Sequence, residues 1–141
     1  MKKNLLFLVL TIALFSACKK EDNSSSITSS NVSSTATTGT WRVTYYWDTN
    51  KEETSNFSGY NFTFGSGNIL TATKATTSIV GSWTTGTDDS KVKLILNFSS
   101  PADFLEISDD WHVIERTDTK IKLQDVSGGN GGTDYLTFEK N

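Results

Sequence analysis

Short segments in which apolar and polar residues alternate run through residues 39–141, with Gly, Asn, Asp and Ser clustered between them. The clearest segment, residues 91–98, carries four apolar residues at every second position, Val92, Leu94, Leu96 and Phe98. A period of two residues is typical of half-buried strands, and no helical period is present here. The pattern predicts eight strands, at residues 40–47, 60–64, 68–74, 78–85, 91–98, 111–117, 120–126 and 133–139.

The connections between these predicted strands are short, except for residues 99–110, where a helical turn is expected at residues 101–105. Short hairpin connections favour an up-and-down meander, and closure into a barrel removes its two exposed edges. A Greek-key sandwich needs more long crossovers than this one. We therefore predict an all-β fold, an eight-stranded antiparallel up-and-down β-barrel, with a β-sandwich as the alternative.

Alternation also predicts which side chains face the lumen. The inward rows are bulky and consist of Trp41, Tyr45, Phe62, Phe64, Trp83, Leu94, Leu96 and Trp111. Such residues either fill a small barrel completely or leave a mouth at one rim. Trp and Tyr combine an apolar surface with a hydrogen-bonding group, which suits sugar rings. The candidate ligand-binding residues near one rim are Tyr45, Trp47, Tyr60 and Trp111.

The first residues have the pattern of an export signal. A basic start at residues 1–4 precedes an apolar run at residues 5–15, which is shorter than the roughly 20 residues that a membrane-spanning helix needs. This pattern predicts a signal peptide at residues 1–17. Phe15-Ser16-Ala17-Cys18 resembles the lipobox of bacterial lipoproteins. The resemblance implies cleavage before Cys18, lipidation of its thiol with acyl chains such as palmitate, and anchoring in a membrane.

The segment after Cys18 is charged and then polar. Lys19-Lys20-Glu21-Asp22 resembles the short signal that sends some Gram-negative lipoproteins to the outer face of the outer membrane. It implies a barrel facing the cell exterior, with the periplasmic face as the alternative. Residues 23–38 are mostly Ser and Thr, and they cannot bury enough apolar surface to offset the entropy of ordering. We therefore predict a lipidated Cys18 and a flexible tether at residues 18–38, followed by one domain at residues 39–141.

Two short motifs resemble a known family. Gly39-Thr40-Trp41 resembles the G-x-W that opens the first strand of lipocalins and related calycin barrels, and Gly81-Ser82-Trp83 repeats it. Together with the lipobox, the chain is similar to small lipocalin-like outer-membrane lipoproteins of Gram-negative bacteria. The resemblance implies that Trp41 closes the barrel floor, and we expect Trp83 to be a core residue as well. It also implies a barrel that binds a small apolar or amphipathic molecule.

Composition excludes several other classes of function. The chain of 141 residues has one Cys and one His, which excludes an internal disulfide, Cys/His zinc sites and a Cys–His catalytic pair. Its net charge of −3 argues against nucleic acid as a partner. His112 is expected on the outer wall because Trp111 is expected inside. The acidic pairs Asp88-Asp89 and Asp109-Asp110 are interpreted as solvated turns, so no metal, cofactor or catalytic residue is predicted.

These observations predict a non-enzymatic, lipid-anchored barrel that binds a small apolar or glycan ligand. The alternative is a structural or interaction module with a solid core, such as an accessory subunit that binds an outer-membrane protein.

Overall fold

A computed structural model of the protein describes residues 26–126 and 132–141. The predicted signal peptide, Cys18, the charged segment at residues 19–22 and most of the Gly-rich segment before the last strand lie outside the described residues. The strands are β1 (Trp41–Asp48), β2 (Lys51–Glu52), β3 (Asn61–Phe64), β4 (Ile69–Lys74), β5 (Thr77–Asp88), β6 (Lys91–Asn97), β7 (Asp110–Arg116), β8 (Lys120–Val126) and β9 (Thr133–Lys140). Two α-helices, α1 (Ser29–Ala36) and α2 (Ala102–Glu106), accompany them.

Eight of these strands form a closed antiparallel barrel. From β3 to β9 each strand pairs with the next, and β1 pairs with both β9 and β3. The predicted all-β barrel is therefore confirmed, and the sandwich alternative is not formed. The helical turn expected in the long connection is also present, as α2.

The wall between β1 and β3 contains an addition that the alternation did not predict. β1 meets β3 only where Trp41 pairs with Phe62, and its second half pairs instead with the short strand β2. A 3₁₀ turn at Thr54–Phe57 follows, and the Thr54 hydroxyl accepts a hydrogen bond from the Tyr46 amide at 2.8 Å. The turn therefore provides a hydrogen-bond partner for the Tyr46 amide in the part of β1 that does not pair with β3.

A β-bulge in β1 changes which tyrosine faces the lumen. The pairing of β1 with β9 shifts by one residue between Val43 and Tyr45. An extra residue in one strand reverses the faces of the residues that follow it. Tyr46 is consequently buried at 1% exposure, whereas Tyr45 is 40% exposed on the outer wall. The prediction that Tyr45 faces inward is wrong for this reason.

Helix α1 packs across the floor of the barrel, the end at which β1 begins and β7 and β9 end. Val32 and Ala36 of this helix are fully buried in the barrel core. Ser29 Oγ donates to the Gly86 carbonyl of β5 at 2.8 Å, and Trp41 Nε1 donates to the Ala36 carbonyl at 2.9 Å. The predicted flexible tether is therefore wrong for Ser29–Ala36, because two well-spaced apolar residues bury enough surface to dock the helix.

The opposite end of the barrel is covered by α2 and by the turn at Thr54–Phe57. Phe104 of α2 contacts Phe57, Phe62 and Phe98, with ring centroids 5.0–5.9 Å apart. Tyr46 Oη also donates to the Glu106 carbonyl at 3.2 Å. In the described part of the chain, both ends of the barrel are thus closed by packed segments. Within the same residues, no helix is both long enough and apolar enough to cross a membrane.

Candidate functional site

The inward-facing side chains of the described residues pack against one another across the lumen. Nine aromatic rings form one connected network with centroids 5.0–6.5 Å apart: Tyr46, Phe57, Tyr60, Phe62, Phe64, Trp83, Phe98, Phe104 and Phe138. Edge-to-face pairs dominate this network, which is the geometry that aromatic quadrupoles favour. The rings occupy the space in which a ligand would lie in an open barrel.

Trp41 and Trp83 are core residues, as expected. Both are buried, and the Trp83 Nε1 group donates to the Gly65 carbonyl at 3.0 Å. Lys140 lies over the Trp41 ring, with its Nζ atom 5.1 Å from the ring centroid. The two indoles therefore hold the barrel wall together, and neither one faces solvent.

The four residues predicted to bind a ligand do not form one site. Trp111 is buried and donates from Nε1 to the Ile107 carbonyl at 2.9 Å. Tyr60 is partly buried against Phe104, and Lys74 Nζ lies 5.3 Å from the centroid of its ring. Tyr45 and Trp47 remain, two residues apart on the outer face of β1. Of the four, Tyr45 is exposed at 40%, Trp47 is partly buried beside it, and Trp111 is closed off from solvent.

Tyr45 lines a pocket on the outer wall, which we call the outer pocket. Its volume is about 270 Å³, and it is lined by Tyr45, Ile114, Lys122, Leu123, Tyr135 and Thr137. Strand register brings these residues together, since Thr137 of β9 pairs with Tyr45 on one side and with Lys122 on the other. Tyr135 pairs with Trp47 one step further along. The pocket thus joins one amine, one hydroxyl and two phenol rings, and Trp47 is the cross-strand neighbour of Tyr135.

A second bulge shapes the same wall. The pairing of β7 with β8 shifts between Val113 and Glu115, and Ile114 is 40% exposed at that position. Beside it, Lys122 Nζ lies 2.8 Å from a Glu115 carboxylate oxygen. The hydrogen bond from Lys122 lowers the pKa of Glu115. The amine of Lys122 is therefore held in place at the edge of the outer pocket.

Sequence reasoning missed Tyr135, Lys122, Thr137 and Ile114 as site residues. Alternation in β9 already places Tyr135 and Thr137 opposite the buried Leu136 and Phe138. Alternation gives no sign of the bulge in β1, so the sequence assigns Tyr45 to the lumen rather than to the outer wall beside these residues.

A second, polar pocket lies at the floor between α1 and the β7–β8 hairpin, and we call it the floor pocket. Its volume is about 330 Å³, and it is lined by Ser34, Thr35, Thr38, Arg116, Asp118 and Lys140. Arg116 Nε donates to Thr35 Oγ1 at 2.8 Å. Two cations, three hydroxyls and one carboxylate therefore converge on this pocket.

His112 lies on the outer wall, opposite the buried Trp111, as alternation predicted. Partial burial and then the neighbouring Lys91 and Lys93 lower its pKa. Three carboxylates, of Asp109, Asp110 and Asp125, have oxygens within 4.8 Å of one another. Asp109 already accepts the Asp110 amide at 2.7 Å, and Asp110 pairs with Lys93 at 3.3 Å. We assign no metal to this exposed cluster.

Comparison with known proteins identifies the fold. No family model and no curated protein sequence matches the chain. Among solved structures, a DUF4847 family protein from Bacteroides vulgatus is similar, with a TM-score of 0.50 and 16% sequence identity. The similarity covers 78% of this chain and 97% of that one. At this identity the likeness concerns the fold alone, and it fits a lipocalin-like barrel.

Proposed function

We propose that the protein is a non-enzymatic, lipid-anchored module of the outer membrane that binds a glycan through the outer pocket. The observation that supports this function is the cluster of Tyr45, Trp47 and Tyr135 on the outer wall of a barrel whose lumen is filled with aromatic side chains. A ligand thus meets the wall of the barrel rather than its interior.

The lining of the outer pocket suits a sugar better than a purely apolar molecule. Tyrosine rings offer apolar faces on which pyranose rings stack, and their hydroxyl groups form hydrogen bonds. Lys122 and Thr137 add a charged donor and a second hydroxyl to the same pocket. Small-molecule sites commonly combine apolar and aromatic walls with a few placed polar groups. The volume of about 270 Å³ accommodates one or two sugar rings of a longer chain.

A second candidate function is docking of a protein partner, such as an outer-membrane protein, on the same wall. Ile114 and Val126 are exposed beside the aromatic residues, Val126 at 61%. Tyr and Trp are enriched in protein interfaces. This observation favours an accessory subunit whose interface includes the outer pocket.

Trp47 provides the test of the glycan proposal. All four tryptophans lie in the described residues, and Trp41, Trp83 and Trp111 are buried while Trp47 is not. Titration of the full chain with maltohexaose, xylohexaose, mannohexaose and chitohexaose is therefore expected to change Trp47 emission for at least one sugar. Tyr135→Ala should weaken that binding by roughly fivefold, because a stacked ring is worth about 1 kcal/mol.

Two variants serve as controls. Ile69→Ala removes an exposed apolar side chain from β4, away from the outer pocket, and should leave binding unchanged. Trp47→Phe should abolish the emission change while calorimetry still detects binding. If no oligosaccharide changes either the emission or the melting temperature, the glycan proposal is wrong. Co-purification of a partner that Tyr135→Ala abolishes would then support the second candidate.

A further inference from the structure

A row of aromatic and polar side chains crosses the outer wall of the barrel beside the outer pocket. We call it the outer row, and its members, each paired in register with the next, are Trp47, Tyr135, Gln124 and His112. All four are partly exposed on the outer face of β1, β9, β8 and β7. We propose that the outer pocket and the outer row together bind a linear, uncharged oligosaccharide that runs across these four strands. The inference rests on the proposed glycan binding and adds Gln124 and His112 to it as binding residues.

The width of the site sets the length of the ligand. Tyr45 of β1 and Ile114 of β7 line the pocket on the two outermost of the four strands, and Tyr135 belongs to both the pocket and the row. Neighbouring strands lie about 4.8 Å apart, so three steps from β1 to β7 cover roughly 14 Å of the wall. One pyranose unit of an extended chain advances by a similar distance to one strand spacing. A ligand that contacts the whole width is therefore a chain of about three or four sugars.

Gln124 and His112 supply the hydrogen-bonding groups that sugar hydroxyls need. A carboxamide both donates and accepts, and a neutral imidazole has one donor and one acceptor nitrogen. Partial burial, followed by the charges of Lys91 and Lys93, lowers the pKa of His112, which keeps its ring neutral at pH 7. Gln124 Nε2 lies 3.5 Å from the Tyr135 hydroxyl oxygen, beside the ring that lines the pocket. The row thus continues from an aromatic half on β1 and β9 to a hydrogen-bonding half on β8 and β7.

The charges beside the outer row favour an uncharged chain over an acidic one. Lys122 Nζ lies 2.8 Å from a carboxylate oxygen of Glu115, and Lys93 Nζ lies 3.3 Å from one of Asp110. Both amines are therefore already compensated by carboxylates. Asp110 also lies two residues before His112 on the same strand, and like charges brought together at a binding site cost affinity. A carboxylate or sulfate on the sugar chain would thus be disfavoured at the β7 end.

The length of the sugar chain tests the inference. The full chain in a non-ionic detergent is titrated by calorimetry with malto-, xylo-, manno- and chito-oligosaccharides of two, four and six units. For a sugar type that binds, affinity should rise roughly tenfold from two to four units and then level off, because only the longer chain reaches β8 and β7. Gln124→Ala and His112→Ala should each weaken tetrasaccharide binding about fivefold, the value of one hydrogen bond, and leave disaccharide binding within about twofold.

Two further variants calibrate this result. Tyr135→Ala removes a ring of the pocket itself and should weaken the binding of both lengths. Asn97→Ala removes an exposed amide from the outer face of β6, four residues from Lys93, the cross-strand neighbour of His112. This matched control should bind both lengths as the wild type does. The melting temperature of each variant checks that the barrel remains folded.

The outcomes separate this inference from the function on which it rests. Unchanged tetrasaccharide affinity in both Gln124→Ala and His112→Ala would overturn the outer row as a binding element, while glycan binding at the pocket would stand. Tighter binding of hexagalacturonic acid than of every neutral hexasaccharide would overturn the uncharged class of ligand. If no oligosaccharide of any length binds, the glycan function is wrong and the inference is wrong with it.

Discussion

Gly81 lies where β5 approaches the end of β6, and it has a structural role that its place in a G-x-W motif does not explain. A Cβ atom on Gly81 would be 2.4 Å from the Asn97 carbonyl oxygen and 2.5 Å from the Phe98 ring. Real Cβ atoms do not approach so closely, so either the backbone or the buried ring would have to move. The absence of a side chain at this position allows Phe98 to reach Phe104 beneath α2.

Gly81→Ala is accordingly expected to destabilise the barrel by roughly 1–3 kcal/mol, the usual cost of overpacking a core. Gly86→Ala, in the same strand, is the matched control because a Cβ at Gly86 meets nothing within 4 Å. That change should be neutral or slightly stabilising, because alanine restricts the unfolded chain. Urea denaturation of both variants measures the difference. Equal midpoints would contradict the close approach at Gly81.

Individual residues also show how far the sequence could predict the fold and the site. Alternation assigned Trp41, Trp83 and Trp111 correctly to the inward face, because no irregularity precedes them in their strands. It assigned Tyr45 to the wrong face because the bulge at Val43/Tyr45 depends on pairing with β9, which is distant in sequence. For the same reason, alternation does not predict that Arg116 faces inward, because a second bulge precedes it in β7. Local patterns therefore predicted the barrel, whereas pairing irregularities determine where its two pockets lie.

At the scale of elements, helix α1 shows why a Ser/Thr-rich segment can still be ordered. Ser and Thr are weak helix formers, and composition alone therefore predicts a tether. Val32 and Ala36 are nevertheless spaced four residues apart, which places them on one face of a helix. Thr28 caps this helix, since its hydroxyl accepts the Asn31 amide at 3.2 Å. Burial against the barrel, rather than helix propensity, stabilises α1.

Val32→Ala should therefore destabilise the protein by about 1–3 kcal/mol, because it removes two buried methyl groups and leaves a cavity. Ser30→Ala, on the exposed side of α1, is the control and should change stability by less than about 0.5 kcal/mol. Chemical denaturation gives the two values, and hydrogen exchange at α1 shows whether the helix undocks. An unchanged free energy of unfolding in Val32→Ala would mean that α1 does not support the barrel.

At the scale of the whole molecule, the outer pocket and the floor pocket both lie outside the lumen of the barrel. Aromatic rings fill the interior, α1 closes one end, and α2 with the turn at Thr54–Phe57 closes the other. The outer pocket lies on the outer wall, and the floor pocket lies beside α1, the helix that follows the proposed anchor in the chain. A membrane attachment at Cys18 would tether the barrel through the segment that leads into α1, since ten residues separate Cys18 from Thr28.

That arrangement depends on lipidation, and Cys18→Ala tests it. Since Cys18 is the only cysteine in the chain, this substitution removes every thiol that could carry an acyl chain. Stable anchoring takes two or more acyl chains, so their loss should release the protein from the membrane fraction. Glycan binding by the released protein should match that of the wild type, because the residues that line the outer pocket are unchanged by the substitution. Fractionation with mass spectrometry of the mature N-terminus provides the measurement. Continued membrane association of Cys18→Ala, or an unmodified Cys18 in the wild type, would refute the lipid anchor while leaving glycan binding to be judged on its own titration.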